Sequence, residues 1–156
     1  MPTVYLETTV ISYLASRPSR DVVIAGHQKA TREWWDVSSN RFDLYVSEAV
    51  LLEIERGDSK AVDRRKSFVE NLSVLRLNSD VTQLGKELGE SLGLRGKAKA
   101  DIAHLAFAVA YEMDFLATWN LKHIASGSTI RRLQKINEEN GRLTPVILTP
   151  ESLIIF

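Results

Sequence analysis

Short apolar runs alternate along this chain with longer amphipathic stretches. The run at 3–6 (TVYL) is β-branched at Thr3 and Val4 and too short for a helix, so it predicts a buried strand. Thr8 or Thr9 then caps a short helix to about Leu14. Arg17-Pro18-Ser19 breaks the chain. A second helix is expected over 21–36, and a second strand over 42–46 (FDLYV). Ser47 caps a helix running to about Arg56, which Gly57 ends. A charged helix over 60–72, a strand at 74–77 (VLRL) and a helix over 79–92 follow. The two glycines of 93–97 predict a loop. The stretch 99–113 is apolar on most of its circumference, which predicts a buried helix. A strand at 115–118 (FLAT), a helix at 130–139, the turn Asn140-Gly141 and a strand at 145–148 (PVIL) complete the pattern.

Strands separated by helices imply parallel pairing through right-handed crossovers. The expected fold class is α/β, a three-layer α/β/α sandwich with a parallel sheet of about four or five strands. No internal repeat, low-complexity tract or linker divides residues 1–156, so one domain is expected.

Composition narrows the chemistry. With no cysteine in 156 residues, disulfides, thiolate nucleophiles and cysteine-based metal sites are excluded. The 44% hydrophobic and 26% charged residues describe a globular chain. Twenty basic residues balance twenty acidic ones, so there is no general cationic coat. The N-terminus lacks the pattern of a signal peptide. The longest apolar-rich stretch, 98–113, is interrupted by Lys99, Asp101, His104 and Glu112, so no membrane span is expected and a cytoplasmic location follows by default.

Open parallel sheets bind ligands beyond the carboxyl ends of their strands. Glu7 directly follows the first strand. Glu53 lies in the helix after the second, on the side of Ala49 and Val50. Asp101 opens the buried helix, and Thr118 and Asn120 close the strand FLAT. Each has a simpler use: Glu7 as an acid at a helix cap, Glu53 as a surface acid, Asp101 as a favourable charge at a helix N-terminus. Gathered on one edge, three carboxylates repel one another, and a divalent cation relieves that repulsion. Oxygen donors without a His or Cys cluster favour Mg2+ or Mn2+.

The segments YLETTVISYL, VSEAVLLEIERG and KADIAHLAFAVAYEMDFLATWNLKHI together resemble the PIN domain, and most closely its VapC-like toxins of toxin–antitoxin pairs. The resemblance spans about residues 3–148, and its most specific part is 100–124. It implies the PIN-like sandwich and metal-dependent endoribonuclease activity, with hydrolysis leaving a 5′-phosphate and a 3′-hydroxyl. Carried over by position, the acid slots fall on Glu7, Glu53, Asp101 and Asn120, with the accompanying hydroxyl on Thr118. Glu7 and Asn120 depart from the aspartates usual there. The formal charge of the site falls from about −4 to −3, which weakens its hold on a second metal. A homodimer and a small antitoxin are further implications, as is a degenerate form that binds RNA or a protein partner without cutting.

Candidates to hold RNA phosphates are Arg17, Arg20, Arg95, Lys97, Lys99 and Lys122. Lys60, Arg64, Arg65 and Lys66 form a second basic group, read first as a solvated helix face. His104 is expected as a satisfied core histidine, and His123 as a cap or surface group. Trp119 is expected to pack rather than stack on a base. Asp114 begins a strand and is expected at the opposite sheet edge in a structural role. The apolar C-terminus LIIF is expected to pack on the domain or on a second subunit. A receiver-like domain using Asp80 is the remaining alternative.

Overall fold

The computed structural model describes residues 1–93 and 98–154. Five strands form one parallel sheet: β1 Thr3–Leu6, β2 Asp43–Ser47, β3 Ser73–Leu75, β4 Phe115–Ala117 and β5 Val146–Leu148, in the spatial order β3-β2-β1-β4-β5. The helices are α1 Thr8–Ala15, α2 Val22–Ser38, α3 Glu48–Ile54, α4 Ser59–Val69, α5 Ser79–Leu92, α6 Lys99–Ala110, α7 Gly127–Glu139 and α8 Pro150–Leu153. Right-handed crossovers place α1–α4 on one face of the sheet and α5–α7 on the other. This is the expected three-layer α/β/α sandwich.

Sequence explains the layering. β1 lies at the centre of the sheet, and Val4, Tyr5 and Leu6 are fully buried, so it is apolar on both faces. The edge strands tolerate exposure at Ser73 and Val146. Helix α6 packs against α5 and buries Leu105, Ala106, Phe107 and Ala108. Gly85 and Gly89 of α5 face Ala106 and Ile102, where an added Cβ would come to 3.8 Å and 3.4 Å. The side chains of Asp21, Ser47, Asp58, Asn78 and Ser126 each accept a backbone N–H in the first turn of the helix that follows.

Several expected boundaries shift. The cap of α1 is Glu7, whose carboxylate accepts the Thr9 N–H, rather than Thr8 or Thr9. Helix α6 stops at Ala110, three residues early, because Glu112 adopts φ +52° and the Met113 N–H turns back to the Ala108 carbonyl. That turn frees the chain to enter β4. Helix α7 starts three residues early behind Ser126. The short α8, with Pro150 in its first turn, was not expected; it seats against α2 and fully buries Leu153. Of the apolar terminus LIIF, Leu153 is thus core and Ile154 half-buried, and Ile155 and Phe156 lie outside the described residues.

Candidate active site

The order of the strands creates a switch point. From β1 the chain first adds β2 and β3 on one side, then returns past them to add β4 and β5 on the other. The crevice between the carboxyl ends of β1 and β4 is where such a sheet receives ligands. Glu7 and Thr118 are the residues immediately after these two strands, and they are bonded: the Thr118 hydroxyl donates to Glu7 Oε1 at 2.6 Å.

That bond belongs to a longer chain. Glu7 also accepts the Thr9 hydroxyl at 2.5 Å and the Thr9 N–H at 3.1 Å. The Asn120 N–H donates to Thr118 Oγ1, and Asn120 Nδ2 donates to Asp101 Oδ1 at 3.0 Å. Asn120 Oδ1 in turn accepts the His123 N–H. Four of the five expected site residues, Glu7, Thr118, Asn120 and Asp101, therefore form one continuous network from three separate segments. Glu7 is 3% exposed, and its buried charge is met by three donors.

Glu53 belongs to a second network. His104 Nε2 donates to Glu53 Oε1 at 2.5 Å. His104 Nδ1 lies 2.6 Å from the Tyr5 hydroxyl, which lies 2.7 Å from Ser47 Oγ. Ser47 also caps α3, the helix that carries Glu53. The strand residue Tyr5 and the cap Ser47 thus fix the imidazole that fixes the acid. Burial opposes charge on His104, but its bond to Glu53 and the charges of Glu7, Glu53 and Asp101 outweigh this and raise its pKa. Burial would raise the Glu53 pKa, yet the bond to His104 and its charge lower it overall. Both shifts favour an ion pair.

Asp101 behaves differently. Burial raises its pKa; the charges of His123 and His104 pull it down, while those of Glu7 and Glu53 push it up. The three carboxylates are close enough to feel one another. Among the described residues, however, no group of three or more His, Asp or Glu side chains is gathered to hold a metal ion. Three carboxylates are donors of the type a hard divalent cation takes, but Asn120 turns its NH2 toward Asp101 and its carbonyl oxygen to the His123 N–H. The buried Thr8 hydroxyl lies toward Glu53 and helps to hold its pKa down.

His104 is the satisfied core histidine expected, and also the partner of an expected site acid. The signal was present in the i, i+3 spacing of Asp101 and His104 on one helix. Tyr5 gave no comparable signal, since its partners Ser47 and His104 are distant in sequence, and Ser47 and Thr9 were read only as helix caps. Trp119 packs as expected: it is 8% exposed, stacks on His27 at 4.0 Å and donates through Nε1 to Thr31.

The expected phosphate-binding residues scatter. Arg17 and Arg20 are exposed in the connection between α1 and α2; Lys99 is exposed at the start of α6, and Lys122 is exposed beyond Asn120. Arg95 and Lys97 lie outside the described residues. The second basic group is not a uniformly solvated face. Arg64 Nε donates to the Ala15 carbonyl, and Arg65 donates to the carbonyls of Ile54 and Arg56, so both close the C-terminal ends of other helices. Lys60 is exposed, and Lys66 pairs with Glu55.

The fold is that of a chain in the crystal structure of VapBC2 from Rickettsia felis bound to a DNA fragment from their promoter. The TM-score is 0.61 at 15% identity, over 93% of this chain and 96% of that one. No family model and no curated protein sequence matches the chain.

Proposed function

We propose that this chain is a metal-dependent endoribonuclease of the VapC type, the toxin of a toxin–antitoxin pair. The observation that supports the reading is the hydrogen-bonded network of Glu7, Thr118, Asn120 and Asp101 at the switch point of a VapC-like sheet, with Glu53 near enough to act on Asp101 through its charge. Mg2+ or Mn2+ is the expected cofactor, with Glu7, Glu53, Asp101 and the Asn120 amide as its candidate ligands. Bound there, such an ion supplies acidification of a water and shielding of phosphate charge.

The chain's own residues set the rest. Thr118 and Thr9 hold the Glu7 carboxylate in one rotamer. His104 does the same for Glu53, and Asn120 for Asp101. Such outer partners orient the acids before substrate arrives. Asp101, whose charged form is disfavoured by burial and by the charges of Glu7 and Glu53, stands to gain from a cation. RNA is the proposed substrate and a small antitoxin the proposed partner, in keeping with a structural neighbour that is a VapBC2 assembly. A homodimer and a cytoplasmic location go with this reading. Among the described residues no helix is long and apolar enough to cross a membrane.

One observation favours a second reading, a PIN-type domain that binds RNA or a protein without cutting: the acids are tied to neutral donors and histidine rather than gathered as a ligand group. The deciding experiment incubates a mixed single-stranded RNA panel with Mg2+, Mn2+ or EDTA, using wild type and Asp101→Asn. Metal-dependent cleavage that falls at least about 100-fold in the variant is expected, a loss beyond that typical of outer-partner substitutions. Binding without cleavage by folded wild type selects the second reading.

A further inference from the structure

A cavity of about 300 Å³ lies where α1, α2 and α4 meet, lined by Ser12, Tyr13, Ser16, Arg17, Arg64 and Arg65 among others. No carboxylate lines it, in a protein whose charges otherwise balance. Among the described residues none of these three arginines has an ion-pair partner. Asp63, the acid adjoining Arg64 in sequence, lines a different hollow with Lys66 and Glu70.

The arginines are also held in place. Arg64 is anchored through Nε to the Ala15 carbonyl, so its terminal nitrogens are left over. Arg65 is anchored by two carbonyls and keeps one terminal nitrogen free. The segment carrying Arg17 is clamped to α2. Buried Gln28 donates to Ser16 Oγ and the Arg17 carbonyl and accepts the Ser19 N–H, and Arg32 donates to the Ser16 carbonyl. The helix C-termini temper the positive charge without cancelling it. Two anchored guanidinium groups and the exposed one of Arg17, beside hydroxyl groups, suit a tetrahedral oxyanion.

We infer that this cavity is a phosphate-binding site formed by Arg17, Arg64 and Arg65. Ser12 lies on α1 one turn beyond Thr8 and Ser16 caps its far end, or about 6–12 Å from Thr8 at the helical rise per residue. A polynucleotide strand crossing the acid edge would therefore place a neighbouring phosphate within reach of the cavity. A free phosphorylated compound presents the same chemistry.

The test uses the full-length chain in EDTA, so binding is read without cleavage. Wild type, Arg17→Ala and Arg64→Gln are titrated with a fluorescent single-stranded RNA oligonucleotide across a salt series, and separately with inorganic phosphate by thermal shift. Arg64→Gln retains a donor for the Ala15 carbonyl, and the Arg17 side chain is exposed, so both variants should fold. For a backbone phosphate, the slope of log affinity against log salt falls by about 0.7 for each contact removed. For a free phosphate, the RNA slope stays unchanged while phosphate stabilises wild type and not the variants. Equal behaviour of all three proteins toward both probes overturns the site. The inference deepens the nuclease reading without depending on turnover: wild type that binds through these arginines and never cuts would sink only the nuclease.

Discussion

The two ends of β1 and β4 carry acids in opposite situations. At the amino end, Asp114 accepts the Thr3 N–H at 2.8 Å and the Thr3 hydroxyl at 3.2 Å, while its own N–H donates back to Thr3 Oγ1. One acid meets neutral donors in a closed, exposed pair that ties the strands in register. At the carboxyl end, Glu7, Glu53 and Asp101 come from three segments, and the charges of the two glutamates add to the burial that raises the Asp101 pKa. Their partners restrain rather than neutralise them, apart from His104. The contrast teaches that an acid next to a strand is assigned its task by which end of the strand it occupies. The amino end offers register contacts, whereas the carboxyl end at the switch point places Asp101 where burial and neighbouring carboxylates disfavour its charge.

Substitutions can sharpen this comparison. Short of the loss of cleavage expected for Asp101→Asn, the largest effect is expected for His104→Leu, which leaves Glu53 without its partner. If the nuclease reading holds, single-turnover RNA cleavage drops about 10–100-fold, and stability falls by about 1–3 kcal/mol from the unmet buried groups. His104→Gln, which keeps a donor toward Glu53, should recover part of the cleavage. Full cleavage by folded His104→Leu would remove His104 from the site. Next, Asp114→Ala should cost about 1 kcal/mol, or about 2–4 °C in Tm, and leave turnover and RNA affinity unchanged. A fall in turnover at temperatures where the variant is folded would contradict a purely structural amino edge.

The smallest effect concerns pH. The native state raises the Asp101 pKa, chiefly through burial. Its charged form is thus disfavoured on folding, and stability is lost as pH rises from below the ordinary aspartate value through the raised one. Asp101→Asn removes that loss and can still accept the Asn120 amide. The metal-free variant should melt about 1 °C above wild type at neutral pH, a small gain because the side chain is partly solvated. The difference should vanish below the carboxylate range. A variant less stable than wild type at neutral pH would show that the Asp101 charge stabilises the fold.

Much of this was legible in the chain. Apolar runs of four or five residues between helical stretches called for a parallel sheet, because strands buried on both faces have no polar alternation to display. The edge role of Asp114 followed from its place before a strand. The cap at Ser47 was legible because its side-chain oxygen directly precedes helical sequence, whereas the caps at Asp58, Asn78 and Ser126 were not read. What misled was local chemistry with more than one partner available. Thr8 and Thr9 are good caps by type, yet Glu7 takes the role because its carboxylate reaches back to the Thr9 N–H. Arg64 and Arg65 look solvated on a charged helix, yet Arg64 finds an open carbonyl at the end of α1 and Arg65 finds two at the end of the preceding helix α3.

The sequence by itself determined the layer order of the fold and the short list of acids, because periodicity and chain order are local properties. It also excluded thiol chemistry outright. Only the tertiary structure decided how the acids divide: Glu7, Thr118, Asn120 and Asp101 into one hydrogen-bonded network, and Glu53 into another through His104, Tyr5 and Ser47. Hydrogen bonds act over about 3 Å, and residues 111 positions apart come that close only when β1 and β4 lie side by side.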